Sequence, residues 1–324
     1  MLTRRKTLQL AASAVAMPFV VRSSWAQVYP SRPVKIIVGF TPGGLADLSA
    51  RIPAQVLSER LKQQFIIENR PGAATAIATE AVIRSPADGY TLLQLAASAP
   101  VNQAVNDKPS FNILTDLAMV AGTITSPLVL VVHPSIPANT VPELIAYAKA
   151  NAGKIALASY GTATTSHVAG ELFKMMTQTD MVHVPYRGSA PMITDLISGQ
   201  VLASMDTVTS SLPHIRTGKL RAIAVTTLKR SVFLPNVPTI SEFLPEFEVK
   251  AWNGIAAPKG TPAAIISKLN SEINAVFGDP AISAKVTELG AEVFRASPAE
   301  LNAMLSADVA KWQKVVKFAN IKPE

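Results

Sequence analysis

The sequence predicts an α/β protein of two domains, and three observations carry that prediction. These are the length of 324 residues, the alternation of short apolar runs with helical patterns, and a change of texture near Ala121. A chain this long exceeds one small core and suits two domains of roughly 100–200 residues each. In the first third, "VKIIVGF" (34–40), "QFIIENR" (64–70) and "YTLLQLA" (90–96) read as strands. "LADLSARIPAQVLSERLK" (45–62) and "TAIATEAVIRS" (75–85) separate them with spacing of the 3.6 type. Strands apolar on both faces, in strand–helix–strand order, predict a parallel sheet covered by helices. Pro53, inside the first helical segment, predicts a kink or a split there.

Beyond Ala121, "SPLVLVVHPSIPANTVPELIAYAKANAG" reads as a strand, a Pro-marked turn and a helix, with Thr140 as N-cap and Pro142 just inside. Further strands are predicted at 154–160, 181–186, 201–206 and 220–227, and helices at 167–178 and 190–199. The stretch "WNGIAAPKGTPAAIISKLNSEINAVF" returns to strand, turn and amphipathic helix, and "SPAELNAMLSADVAKWQKVVKFA" reads as a capped surface helix. No low-complexity linker separates the two textures. The expected organisation is therefore one domain inserted in another: residues 27–122 plus 228–324 form the first lobe and 123–227 the second.

The first 26 residues read as an export address. A charged "TRRKTL" precedes a 14-residue apolar stretch (8–21), too short to cross a bilayer, which needs about 20 residues. Ser24 and Ala26 supply the small residues before a cleavage site, so the mature chain is expected to start at Gln27, outside the cytoplasm. The Arg4-Arg5 pair leaves both the general secretory and the twin-arginine routes open. Arg4, Arg5, Lys6 and Arg22 carry half of the formal charge of +8. The remainder is spread without a basic block, which excludes a nucleic-acid footprint. The absence of cysteine excludes disulfides, thiolate metal sites and thiol nucleophiles.

Neither a phosphate-binding G-x-x-x-x-G-K-[ST] nor G-x-G-x-x-G occurs, and G-x-S-x-G is absent. The four histidines have no zinc-site spacing; His167 and Glu171 stand i,i+4 but lack a third ligand. What the chain does have is a set of strand-end loops rich in glycine and hydroxyl residues: "FTPGGLAD" (40–47), "ASAP" (97–100), "SYGTATTSH" (159–167), "PYRGSAP" (185–191) and "MDTVTSS" (205–211). Ligands in open α/β sheets sit beyond the carboxyl ends of the strands. Such loops hold an anion through backbone N–H groups and helix dipoles, without needing a lysine. Asp47 reads as a helix-capping acid, Arg51 and Arg70 as ion-paired side chains, and Arg187 as the basic residue best placed at a cleft.

The stretches "YPSRPVKIIVGFTPGGLAD", "IIENRPGA", "ADGYTLL", "SHVAGELF", "VHVPYRGSAPMITDLISGQV", "SLPHIRTGKLRAIAVTT", "LPNVPTISE" and "WNGIAAPKGTPAAIISKLN", in this order, resemble the Bug family. These are extracytoplasmic solute receptors of tripartite tricarboxylate transporters. The resemblance runs from about Tyr29 to Trp312. It implies a two-lobed periplasmic binding protein fold of type II-like form, closing on a small carboxylate in the interlobe cleft. It also implies delivery to membrane transporter subunits, or to a sensor kinase, by a monomer without cofactor or metal. Carried onto this chain, the ligand-holding positions are Thr41, Gly43 and Gly44 in one loop, and Ser159, Gly161, Thr162, Thr164, Thr165 and His167 in the other. Tyr186, Arg187, Gly188 and Asp206 are expected on the far wall, with Ala97 and Ser98 at the third strand end.

Leu45 replaces a small polar residue common in the family, Ala163 replaces a glycine, and "AATAIA" replaces a glycine-rich stretch with an asparagine. With Phe40, these departures predict an apolar rim suited to a dicarboxylate or aromatic carboxylate rather than to a densely hydroxylated tricarboxylate. The competing reading is a periplasmic hydrolase or lyase using the same cleft, with His167 and Thr164 or Thr165 as its local base and nucleophile.

Overall fold

The computed structural model describes residues 29–105 and 110–322, so the expected export segment and its cleavage site lie outside the described residues. The elements below all lie within Arg32–Glu324. In order they are β1 (Val34–Val38), α1 (Leu45–Leu61), β2 (Phe65–Asn69), α2 (Ala76–Ile83), β3 (Thr91–Ala96), α3 (Ser98–Val105), α4 (Ile113–Asp116) and β4 (Leu117–Val132). Then come α5 (Val141–Ala150), β5 (Ala156–Ser159), α6 (Thr165–Thr177), β6 (Val182–Pro185), α7 (Ser189–Ser198), β7 (Ala203–Thr207), α8 (Val208–Arg216) and β8 (Arg221–Val225). The chain ends with β9 (Lys250–Pro258), α9 (Ala263–Gly278), α10 (Pro280–Glu288), β10 (Glu292–Val293) and α11 (Pro298–Ala319).

The strand order is β2-β1-β3-β9-β4-β7-β5-β6, with β8 and β10 also paired to β4. β1 pairs in parallel with β2 and β3, as the strand–helix–strand order predicts. β9 then enters antiparallel between β3 and β4, so the sheet is mixed rather than wholly parallel. Strand β4 is 16 residues long: Leu117–Pro127 pairs with β9, and Leu128–Val132 pairs with β7 and β8. Each half of β4 has its own core. Ile37, Leu93, Leu95, Trp252, Leu301 and Leu305 cluster on one side. Val129, Val131, Met192, Leu196, Val208 and Leu212 cluster on the other. Each such buried side chain contributes about 1.5–3 kcal/mol.

Buried hydroxyls knit the crossing between the two sheets. Thr226 Oγ1 donates to Val249 O at 2.6 Å and accepts from Leu128 N at 3.0 Å. Ser126 Oγ donates to Gly290 O at 3.3 Å and accepts from Thr209 N at 3.4 Å. The caps follow the sequence reading: Thr140 accepts from Glu143 N, and Ser297 forms a capping box with Glu300. Helix α1 runs unbroken through Pro53; the proline removes only the hydrogen bond that its own N–H would make to the Ser49 carbonyl. Helices α3, α8 and α10 were not predicted. Each is only 8 or 9 residues long and carries a proline, which masks helical periodicity.

Candidate functional site

A chamber opens where the carboxyl ends of both sets of strands meet. Phe40, Thr41, Gly44, Leu45 and Ala46 line it from the first loop, and Ala96, Ala97 and Ser98 from the end of β3. Tyr160, Thr165, Ser189 and Thr207 line it from the opposite side, and Ala251, Trp252 and Asn253 of β9 form the remaining wall. About 40 Å³ of it is open to the centres of water-sized spheres, room for roughly three waters. A wider outer chamber, about 400 Å³ on the same measure, is lined by Gly39, Phe40, the 71–75 loop, Ile77, Gly161, Thr162 and residues 185–187. Phe40 borders both chambers, its ring edge-on to Tyr160 at 5.9 Å.

The inner chamber collects helix N-termini. Gly44 is the N-cap of α1, and Leu45 its first residue; Ser98, Thr165 and Ser189 open α3, α6 and α7, and Thr207 is the N-cap of α8. Each N-terminus carries unsatisfied N–H groups and close to half a positive charge. Among the described residues no lysine, arginine, aspartate or glutamate lines the chamber. Five partial positive charges in a charge-free, largely apolar pocket favour a small anion.

The loop that presents Gly44 is held from behind. Asp47 accepts hydrogen bonds from Gly43 N at 3.0 Å, Arg51 Nε at 2.7 Å and Asn69 Nδ2 at 2.9 Å, while Asn69 Nδ2 also donates to Phe40 O at 2.9 Å. Burial pushes the Asp47 carboxyl up, but the bonds from Arg51, Asn69 and Gly43 outweigh it and hold the carboxyl below the usual range. Asp47 is thus a structural acid, though it binds the Gly43 N–H ahead of the helix rather than an N–H within it. Arg51 and Arg70 are ion-paired, to Asp47 and Glu68. Arg187 is exposed in the outer chamber and makes no ion pair or hydrogen bond among the described residues.

Of the expected positions, Phe40, Thr41, Gly44, Leu45, Ala97, Ser98 and Thr165 line the inner chamber, and Gly161, Thr162, Tyr186 and Arg187 the outer one. Gly43, Ser159, Thr164, His167, Gly188 and Asp206 line neither. Ser159 Oγ bonds Gly161 O at 3.1 Å and His183 Nε2 at 2.7 Å, and Thr164 caps α6, so both shape the loop from within. His167 stacks on His183 at 3.7 Å, and its Nδ1 accepts from Ala163 N at 3.1 Å. That bond uses the lone pair a general base would need, and burial pushes His183 down to about 3. Gly188 touches the first loop: a Cβ there would sit 2.2 Å from Thr41 Oγ1.

Asp206 is fully buried behind the wall rather than on it. Its carboxylate accepts from Ser189 Oγ at 2.7 Å and Ser211 Oγ at 2.8 Å, and burial pushes its pKa up to about 6. The Ser189 proton is thereby committed to Asp206, leaving Ser189 its backbone N–H to offer an anion. Burial and the nearby Asp206 charge push the Tyr160 hydroxyl above its usual range, so it stays neutral.

Ala46, Tyr160, Ser189 and Thr207 fall within the named loops but were not singled out, and sequence reasoning missed Ala96 and the β9 wall of Ala251, Trp252 and Asn253 altogether. It also missed that Ala73, Ala74 and Thr75 are all left-handed, with φ of 44°, 47° and 77°. Trp252 Nε1 donates to Asp308 at 2.6 Å, which fixes the ring against the chamber.

The family model described as "Tripartite tricarboxylate transporter family receptor" (TctC) matches residues 49–321. Protein BugT of Bordetella pertussis is 37% identical over 300 residues, covering 92% of each chain. The structure of R. palustris Rpa4515 with adipate superposes with a TM-score of 0.88 at 37% identity, covering 91% of this chain and 100% of that one. The periplasmic binding protein BugD gives 0.87 at 34% identity, over 91% and 100%. The fold is accordingly the α/β periplasmic binding protein fold, that of the periplasmic binding protein BugD.

Proposed function

Because the chain belongs to the TctC family of tripartite tricarboxylate transporter receptors, we propose that it captures a small carboxylate, a dicarboxylate or an aromatic one, with one carboxylate group in the inner chamber and the rest of the ligand extending past Phe40 into the outer one. The convergence of five helix N-termini on a pocket without charged side chains carries this reading. The carboxylate takes N–H groups from α1 and α6, with the hydroxyls of Thr41, Ser98 and Thr165 beside them. The apolar surfaces of Leu45, Phe40 and Trp252 take a methylene chain or ring. Arg187, in the outer chamber, receives a second carboxylate when there is one. The adipate bound by Rpa4515, a chain of methylenes with a carboxylate at each end, supports this arrangement.

Capture proceeds by closure of residues 27–122 plus 228–324 on residues 123–227 about the β4 crossing. Contacts that join the two sides, Thr165 N to Ser98 Oγ at 3.3 Å and Thr41 against Gly188, belong to the closed state. The loaded receptor, secreted to the periplasm and cleaved after Ala26, then delivers its ligand to the membrane subunits of a tripartite transporter. Among the described residues no helix is long and apolar enough to cross a membrane. A thermal-shift screen of the mature protein against dicarboxylates, aromatic carboxylates and tricarboxylates tests the reading. A ligand at 100 Kd adds about 2.7 kcal/mol of stability. Stabilisation by none of these acids at millimolar concentration overturns it.

A further inference from the structure

Asn253 lies on β9, is 2% exposed, and lines the inner chamber beside Trp252. Its orientation is fixed from behind. Gln94 Nε2 donates to Leu95 O at 3.1 Å, which settles which way the Gln94 amide points, and the same nitrogen donates to Asn253 Oδ1 at 2.7 Å. The Asn253 Oδ1 therefore faces Gln94, and Nδ2 is the atom left to the chamber. That nitrogen has no hydrogen-bond partner among the described residues. Of this pair the buried atom without a partner is Gln94 Oε1; Asn253 Nδ2 opens onto the chamber, and a ligand that fills the chamber without offering an oxygen there leaves the donor unpaired.

We propose that Asn253 is a specificity-determining residue whose Nδ2 donates to a neutral oxygen, hydroxyl or oxo, carried by the bound carboxylate. The inference rests on the reading that the inner chamber holds the carboxylate. A single neutral donor suits a neutral acceptor: the charged end of the ligand is met by the helix N-termini, and among the described residues no side-chain cation stands near Asn253 in the chamber wall. A site built to bond such an oxygen discriminates against the acid that lacks it, because the donor is then left unpaired.

The test measures Kd by calorimetry for acid pairs differing by one oxygen: malate with succinate, 2-hydroxyglutarate with glutarate, 2-oxoadipate with adipate, and mandelate with phenylacetate. The wild-type protein is expected to prefer the oxygenated member about tenfold in at least one pair, and Asn253→Leu to bring that ratio close to one. Gln94→Leu, which removes the clamp without touching the chamber, is expected to lower the ratio part of the way. It provides a second reading if Asn253→Leu does not fold. A wild-type ratio near one in every pair that binds, or a ratio unchanged within twofold in Asn253→Leu or Gln94→Leu, overturns the proposal while leaving the site reading intact. Equal binding of these acids by wild type and Gly44→Val removes the site reading, and the proposal with it.

Discussion

Gly44 offers the sharpest test of where the anion sits. Its backbone, φ −86° and ψ 175°, is extended and open to any residue, and a Cβ built there meets nothing within 4 Å. Gly44→Val therefore leaves the fold nearly untouched, at a cost of a few tenths to about 1 kcal/mol for a poor N-cap. The three added carbons enter a chamber with about 40 Å³ open to water centres, and each carbon takes up about the space of one water. They occupy the place of the carboxylate and cover the N–H groups of Leu45 and Ala46. The expected loss is at least 100-fold in Kd, or about 2.7 kcal/mol, with Gly44→Ala intermediate. Calorimetry gives the affinity, and thermal melting of the ligand-free protein controls for folding. A Kd within threefold of wild type, with unchanged melting, refutes the assignment of the first loop to the anion.

Two further outcomes are expected. Gly188→Ala places a Cβ 2.2 Å from Thr41 Oγ1, so it weakens ligand binding about tenfold or more in the parent. The cost falls in a Thr41→Ala background, and strict additivity of the two changes in a binding cycle contradicts the closed contact. Asp206, raised by burial to about 6, contributes stability that is fully present below its ordinary value near 4 and is lost as pH rises through 6, about 1 kcal/mol between pH 5 and 7.5. His183, pushed down to about 3 by burial, acts in the opposite sense, losing stability as pH falls below about 6.5. The diagnostic quantity is therefore a difference. Asp206→Asn should melt relatively better at pH 7.5 than at pH 5 when each is referenced to wild type, and an equal offset at both pH values rules out the buried charge.

Much of the scaffold can be read directly from local chemistry. The β1–β3 runs, the Thr140 cap and the Ser297 capping box depend on neighbours within a few residues, and the structure has all of them. The glycine and hydroxyl loops were legible for the same reason, and seven of their expected positions line the inner chamber. The wall from β9 was not. Trp252 and Asn253 arrive from the second crossing of the chain, roughly 150 residues beyond β3, and within their own strand they look like ordinary core. The left-handed run Ala73–Thr75 was hidden because glycine is the usual sign of positive φ, and here alanine and threonine adopt it. Asp206 misled for the opposite reason: an acid at a strand end looks like a ligand contact, whereas two serine hydroxyls turn it inward.

The double service of β4 has a mechanical consequence. One strand changes partners between Pro127 and Leu128 while remaining hydrogen-bonded on both sides of that step. Rotation of one sheet against the other therefore has to be absorbed by a few backbone torsions, braced by Thr226, Ser126 and Thr209. Such a flexure has a preferred axis and resists twist and slide. Under the closure proposed above, such a flexure brings the two halves of the chamber together in one alignment, so that little orientational freedom is left to lose when a ligand enters.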